Sequence, residues 1–150
     1  MRRLWSLLWR DGVAHERSHK KELDLPEAFS NDVNRKALAF AMPRSAHGDV
    51  SGLLLQSVRP LPEAAIYCAD PSAFRSVFVY RDNVVFAFAE GMKGVSLRMP
   101  EGSVADAIAQ GAVDRGELGD GWVLLPLFAE DGRFLAELPI LMRAAYEAAT

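Results

Sequence analysis

Cysteine is almost missing from this chain. Cys68 is the only one, so no disulfide can form within it, and a secreted, cystine-stapled scaffold is excluded. Histidine is scarce too: His15, His19 and His47 are the whole supply, which bounds any imidazole-based metal centre. Long apolar runs are absent. The longest, Trp122 to Ala129, is far too short to cross a bilayer. There is no positive excess, since the formal net charge is −3, and a general attraction to nucleic acid is therefore not expected. No internal repeat is visible, which rules out a solenoid. No G-x-S-x-G elbow occurs, which removes that route to a serine hydrolase.

What is present is an ordinary globular balance, half hydrophobic and a quarter charged. With 150 residues, one domain can withdraw roughly 70% of its unfolded surface from water. A single domain over 1–150 is expected, with 1–25 a basic amphipathic amino-terminal segment. Cys68, inside Ala65-Ile66-Tyr67-Cys68-Ala69, reads as a buried and inert thiol.

Charge is distributed unevenly. Residues 1–21 hold six Lys/Arg against two acids, whereas residues 101–150 hold three against nine. The asymmetry suits either a partner or an amino terminus oriented against the acidic end of its own fold. Met1-Arg2-Arg3 followed by Leu4 to Trp9 imitates the start of a signal peptide, but the apolar stretch stops at Arg10 and no small-residue cleavage site follows. A cytoplasmic protein is expected. Leu4, Trp5, Leu7, Leu8 and Trp9 form an apolar stripe among Arg2, Arg3 and Arg10. Trp5 and Trp9 are accordingly candidates for packing on the domain, a second copy or a partner.

His15-Glu16-Arg17-Ser18-His19 matches H-E-x-x-H, in which two histidines one helical turn apart bind zinc and the glutamate activates water. Arg17 inside the motif and Lys20-Lys21 after it argue for a solvated helix end instead. A third ligand would have to be His47, arriving from a distant loop, or Glu22, Asp24 or Glu27; His15, His19 and Glu16 are therefore a minor alternative, and no cofactor is expected. Ser45, His47, Asp49 and Ser51 lie close in sequence within an expected loop, Arg44 to Gly52, but loop neighbours do not face one another in triad geometry.

The organising stretch is Ser76 to Met99, read as a three-stranded meander. Val77 to Arg81 turns at Asp82-Asn83, a pair that tolerates positive φ, into Val84 to Ala89. A second turn over Glu90 to Gly94 leads to Val95 to Met99. In that register Arg81 faces Val84, Val79 faces Phe86 and Val77 faces Phe88, all on one side. Phe78, Tyr80, Val85, Ala87 and Ala89 take the other. Both sides are apolar, so Phe78 and Tyr80 are candidate interface residues. Lys93, in the Gly91 to Gly94 turn, and Arg98 are candidate anion contacts.

Around the meander the signals are coarser. Leu23 to Pro26 reads as a linker. A helix is expected from Ser30 or Asn31 to Pro43, burying Val33, Ala37, Leu38, Phe40 and Ala41. Leu53 to Val58 is expected as a strand, Ala64 to Cys68 as a second, and Asp70-Pro71-Ser72 as a turn or the cap of a single helical turn through Phe74. Ser103 should cap a helix from Val104 to Gln110, with Val104, Ala107 and Ile108 inward, stopped by Gly111. A mobile acidic loop over Gly116 to Gly121 precedes a strand, Trp122 to Phe128, which Pro126 marks as edge or bulged. Asp131-Gly132 turns the chain, Phe134 to Leu138 is strand or helix start, and a last helix buries Leu138, Leu141, Met142, Ala145 and Tyr146. The fold class is α+β: an antiparallel sheet built on 76–99 and flanked by three or four helices.

Residues 84–89 (VVFAFA), 95–100 (VSLRMP), 104–111, Trp122-Val123 and the closing Ala144-Ala145-Tyr146 helix follow in an order that resembles the MmcQ/YjbR proteins and the amino-terminal domain of TfoX-type competence regulators. The resemblance spans roughly residues 76–149. It implies a small α+β domain with an antiparallel sheet, a nucleic-acid-binding or regulatory role and no cofactor. The leading expectation is a non-enzymatic binding or regulatory domain acting through protein contacts or self-association. A weak nucleic-acid-binding regulator, disfavoured by the net charge, and a zinc-dependent hydrolase through residues 15–19 are the alternatives.

Overall fold

The computed structural model describes residues 25–69, 76–92, 94–129, 131 and 138–149. Among these, six antiparallel strands form one sheet: β1 (Ala65–Cys68), β2 (Val77–Arg81), β3 (Val84–Glu90), β4 (Gly94–Arg98), β5 (Val113–Asp114) and β6 (Trp122–Pro126). The strand order is β1-β2-β3-β4-β6-β5, and every pairing is antiparallel. Four helices accompany it: α1 (Asp32–Ala41), α2 (Gly48–Val58), α3 (Val104–Ala109) and α4 (Leu138–Ala148). The fold is α+β, as the sequence indicates, and the 76–99 meander forms its centre. His15, Glu16, His19, Trp5, Trp9, Lys93, the turn at 70–72 and the start of the 134–138 segment lie outside the described residues.

The β2–β3 turn is made by Asp82 and Asn83, whose φ angles of 49° and 60° are the left-handed pair that a two-residue hairpin demands. Arg81 pairs with Val84 and Tyr80 with Val85, as the turn dictates. The register then slips, so that Val79 faces Ala87 and Phe78 faces Phe88. The extra residue is Phe86, and the slip corrects the expected faces. Beyond such a bulge the side-chain alternation of one strand is inverted relative to its partner. Phe86, Ala87 and Ala89 therefore join Val77 and Val79 in one core, while Phe88 crosses to join Phe78 and Val85 in the other.

Helices cover both faces. On the first, α2 and α4 lay Val50, Leu54, Val58, Leu141, Met142 and Ala145 against Val95, Leu97, Val123 and Leu125. On the second, a 3₁₀ turn at Glu27–Ser30 and α1 place Phe29, Ala37 and Ala41 over Phe78, Phe88 and Trp122. The rings meet at tilted and edge-on angles: Phe29–Phe78 at 5.4 Å, Phe88–Trp122 at 5.4 Å and Phe29–Tyr67 at 5.1 Å. Each fully buried ring of this kind contributes about 2–3 kcal/mol of transfer free energy. Phe78, expected at an interface, is thus wholly buried among the chain's own Phe29, Tyr67 and Phe88, and Tyr80 is half-buried beside Phe29.

Leu53 to Val58 is not a strand but the body of α2, which also absorbs part of the loop expected over 44–52. His47 caps the helix, its Nδ1 accepting from the Asp49 N–H at 3.2 Å, and Val50, Leu54 and Val58 repeat at helical spacing on the buried side. Two smaller corrections share one cause, a helix with only one covered side: Val33 on α1 and Ile108 on α3 point outward. β5 and the 3₁₀ turn at Gly116–Leu118 were not foreseen. Leu118 buries itself in the second core, which pins a segment expected to be a free loop.

Two polar clamps fix the layers. Asn34 of α1 is buried and saturated: its Nδ2 donates to the carbonyls of Ala28 (2.5 Å) and Asn83 (2.7 Å), and its Oδ1 accepts from the Val85 N–H (3.1 Å). On the opposite face, Arg81 lies over the Tyr146 ring (4.4 Å) and donates to the Tyr146 carbonyl (3.3 Å). The Tyr146 hydroxyl in turn donates to the Pro62 carbonyl (2.7 Å), which seats α4 on the hairpin.

Candidate acidic cleft

The ends of β4, β6 and α4 leave a half-open cleft of about 960 Å³. Ala145 and Ala148 of α4 and Ala149 just beyond the helix line one side; Ala145 and Ala149 are buried and Ala148 is exposed. Val84 and Val104, both half-buried, join Ala148 as its accessible apolar surface, and Phe86 and Met99 lie buried beneath them.

One wall is backbone. The Met99 N–H donates to the Gly121 carbonyl (2.8 Å), drawing the 119–121 strand entry against the end of β4. Gly121 has φ +88°, and a Cβ there would sit 2.8 Å from the Met99 carbonyl oxygen, so only glycine permits the approach. The Pro100–Ser103 turn closes with the Ser103 N–H donating to the Pro100 carbonyl (3.0 Å), and Gly102 takes φ +81°.

The rim is charged. Glu101, Asp114 and Asp120 stand exposed around the opening, and Arg98, half-buried at the end of β4, stands with them. None of the four makes an ion pair or a side-chain hydrogen bond among the described residues. The cleft therefore carries three uncompensated carboxylates to one guanidinium over an apolar floor.

A buried ionic cluster holds the acidic wall in place. Arg115, which follows β5, donates from Nη2 to Glu90 Oε1 (3.0 Å) and from Nε to Glu90 Oε2 (3.3 Å), while the Ser96 hydroxyl also donates to Glu90 Oε2. Glu90 and Ser96 are both buried. Both Glu90 carboxylate oxygens are used, and Arg115 Nη1 also stands 3.8 Å from Glu117 Oε1, so the set is a strut between the Asp114–Gly121 segment and the sheet.

The remaining expected site residues are not brought together. His47 is occupied as the α2 cap, its Nδ1 3.5 Å from Asp49 Oδ2, while Ser51 is buried in that helix and Ser45 is exposed, so no triad forms. Among the described residues no group of three His, Cys, Asp or Glu is placed to hold a metal ion. No helix among them is long and apolar enough to cross a membrane. Cys68 is half-buried and free, and burial raises its pKa above the ordinary thiol value. The rim acids were missed as site residues. They come from two turns and the short strand β5, and only the β5–β6 pairing and the β4 end bring these pieces to one opening. Comparison of the chain with family models, with curated proteins and with solved structures gives no match.

Proposed function

We propose that this protein is a non-enzymatic binding domain whose cleft takes a basic, partly apolar protein segment. The observation that supports this most is the combination of an alanine-lined hollow with three unpaired carboxylates on its rim. Apolar side chains of a ligand displace water from the floor, while Arg or Lys side chains meet the rim and set orientation and encounter rate. An acidic opening repels phosphate, so the nucleic-acid reading suggested by the resemblance of residues 76–149 to TfoX-type domains is the weaker one. The two-faced sheet itself offers less to a partner than its sequence promises, because Phe78, Phe86, Phe88 and Trp122 are buried within the chain.

The test is calorimetric titration of the full chain with a synthetic peptide of alternating Arg and Trp. Saturable binding that weakens as salt rises is expected, together with weaker binding to the Asp114→Lys/Asp120→Lys chain. Equal affinity in the two chains, or no heat with either, contradicts the proposal.

A further inference from the structure

We infer that the occupant of the cleft in the resting protein is the chain's own Arg2–Arg10 stretch, which keeps outside segments out. The inference rests on the cleft reading given above and names its ligand. The stretch has the chemistry the cleft asks for: Arg2, Arg3 and Arg10 for the rim carboxylates, and Trp5 and Trp9 for the apolar floor. Residues 1–21 carry six Lys/Arg against two acids, while residues 101–150, which supply Glu101, Asp114 and Asp120, carry three against nine. The two ends of the chain are complementary in charge.

Geometry permits the contact. Six residues after the described chain begins at Leu25, the Asn31 Nδ2 donates to the Asn83 carbonyl at 3.3 Å, and the residue after Asn83, Val84, lines the cleft. The 14 residues of 11–24 connect the stretch to Leu25. Extended, they span up to about 45–50 Å, against a radius of gyration of about 14 Å for a domain of this size. Reach is therefore no constraint. Tethering raises the local concentration of the stretch to the millimolar range. A contact with a Kd of only ~100 μM would then be formed in roughly nine chains of ten.

The test compares the full chain with its Arg2→Glu/Arg3→Glu/Arg10→Glu variant, which alters none of the residues described in the two hydrophobic cores. In ¹⁵N-labelled protein the Gly102, Gly119 and Gly121 amides are expected to shift between the two, and the difference to shrink in high salt. A labelled peptide of residues 1–12 is expected to bind the variant about tenfold more tightly than the unaltered chain, because the competitor has been removed. Unchanged glycine amides, or equal peptide affinity for both chains, overturns self-occupancy while leaving the cleft as a binding site. Binding of that peptide, and of the Arg/Trp peptide, by neither chain overturns the cleft reading and self-occupancy with it. Amide shifts that depend on protein concentration assign the occupant to another copy and overturn the intramolecular claim.

Discussion

Replacing Asn34 by Ala is the sharpest probe of how the second face is assembled. The amide ties three pieces of chain together: the Glu27–Ser30 turn through the Ala28 carbonyl, the hairpin through the Asn83 carbonyl, and β3 through the Val85 N–H. The three losses are unequal. Ala28 and Asn83 each keep a second donor, the Asn31 Nδ2, at 3.1 Å and 3.3 Å, so each forfeits one bond of about 1 kcal/mol. The Val85 N–H is fully buried and keeps no partner, and an orphaned donor of this kind costs about 1–3 kcal/mol. The sum is about 4 kcal/mol, a large part of the 5–15 kcal/mol that typically separates folded from unfolded. With a urea m-value of about 2 kcal/mol/M, the midpoint falls by about 2 M. Equilibrium unfolding followed by far-ultraviolet circular dichroism measures it, with Asn34→Asp as the control. Aspartate keeps the acceptor for Val85 but turns an oxygen toward the two carbonyls, so it should not rescue the loss. A midpoint shift below about 0.5 M for Asn34→Ala would refute the clamp.

Two further outcomes follow from other parts of the structure. Arg115→Ala leaves Glu90 buried with only Ser96 as partner, which should cost about 3 kcal/mol and lower Tm by about 6–12 °C. A double Arg115→Ala/Glu90→Gln chain should recover part of that loss in calorimetry, and failure to recover would mean the ion pair is incidental. Burial lifts the Cys68 pKa, so less thiolate is present at neutral pH than in a free cysteine. Iodoacetamide should therefore modify the folded chain more slowly than the urea-unfolded one, and the rate should climb at a higher pH than for a model thiol. Equal rates would show that the thiol is not shielded.

How much of this was legible in the residues depends on the range of the determining contact. The hairpin at Asp82-Asn83 was readable because left-handed backbone is a local property of those two residues. The bulge after Val85 was not, since it answers to the packing of Phe86 and Phe88 on opposite faces, and it reassigned Phe88, Ala87 and Ala89. The α4 stripe of Leu138, Leu141, Met142, Ala145 and Tyr146 was correct to the residue, because a full helical repeat outweighs local ambiguity. Leu53–Val58 failed for the opposite reason. A short apolar run followed by proline fits a strand as well as a helix, and Gly48 and Gly52 concealed the Val50–Leu54–Val58 repeat. The cleft was invisible in sequence. Its acids are ordinary surface residues until β5 pairs with β6, and β5 has only two residues with which to announce itself.

The claim that the alanine-lined hollow binds a basic, partly apolar segment is tested most directly by intermolecular nuclear Overhauser contacts between the indole protons of the Arg/Trp peptide and the methyl groups of the full chain. Contacts to Val84, Val104 and Ala148, the methyls of the cleft, are the predicted result. Contacts confined to the exposed Ile66 or Ile140, which lie elsewhere on the surface, would contradict it.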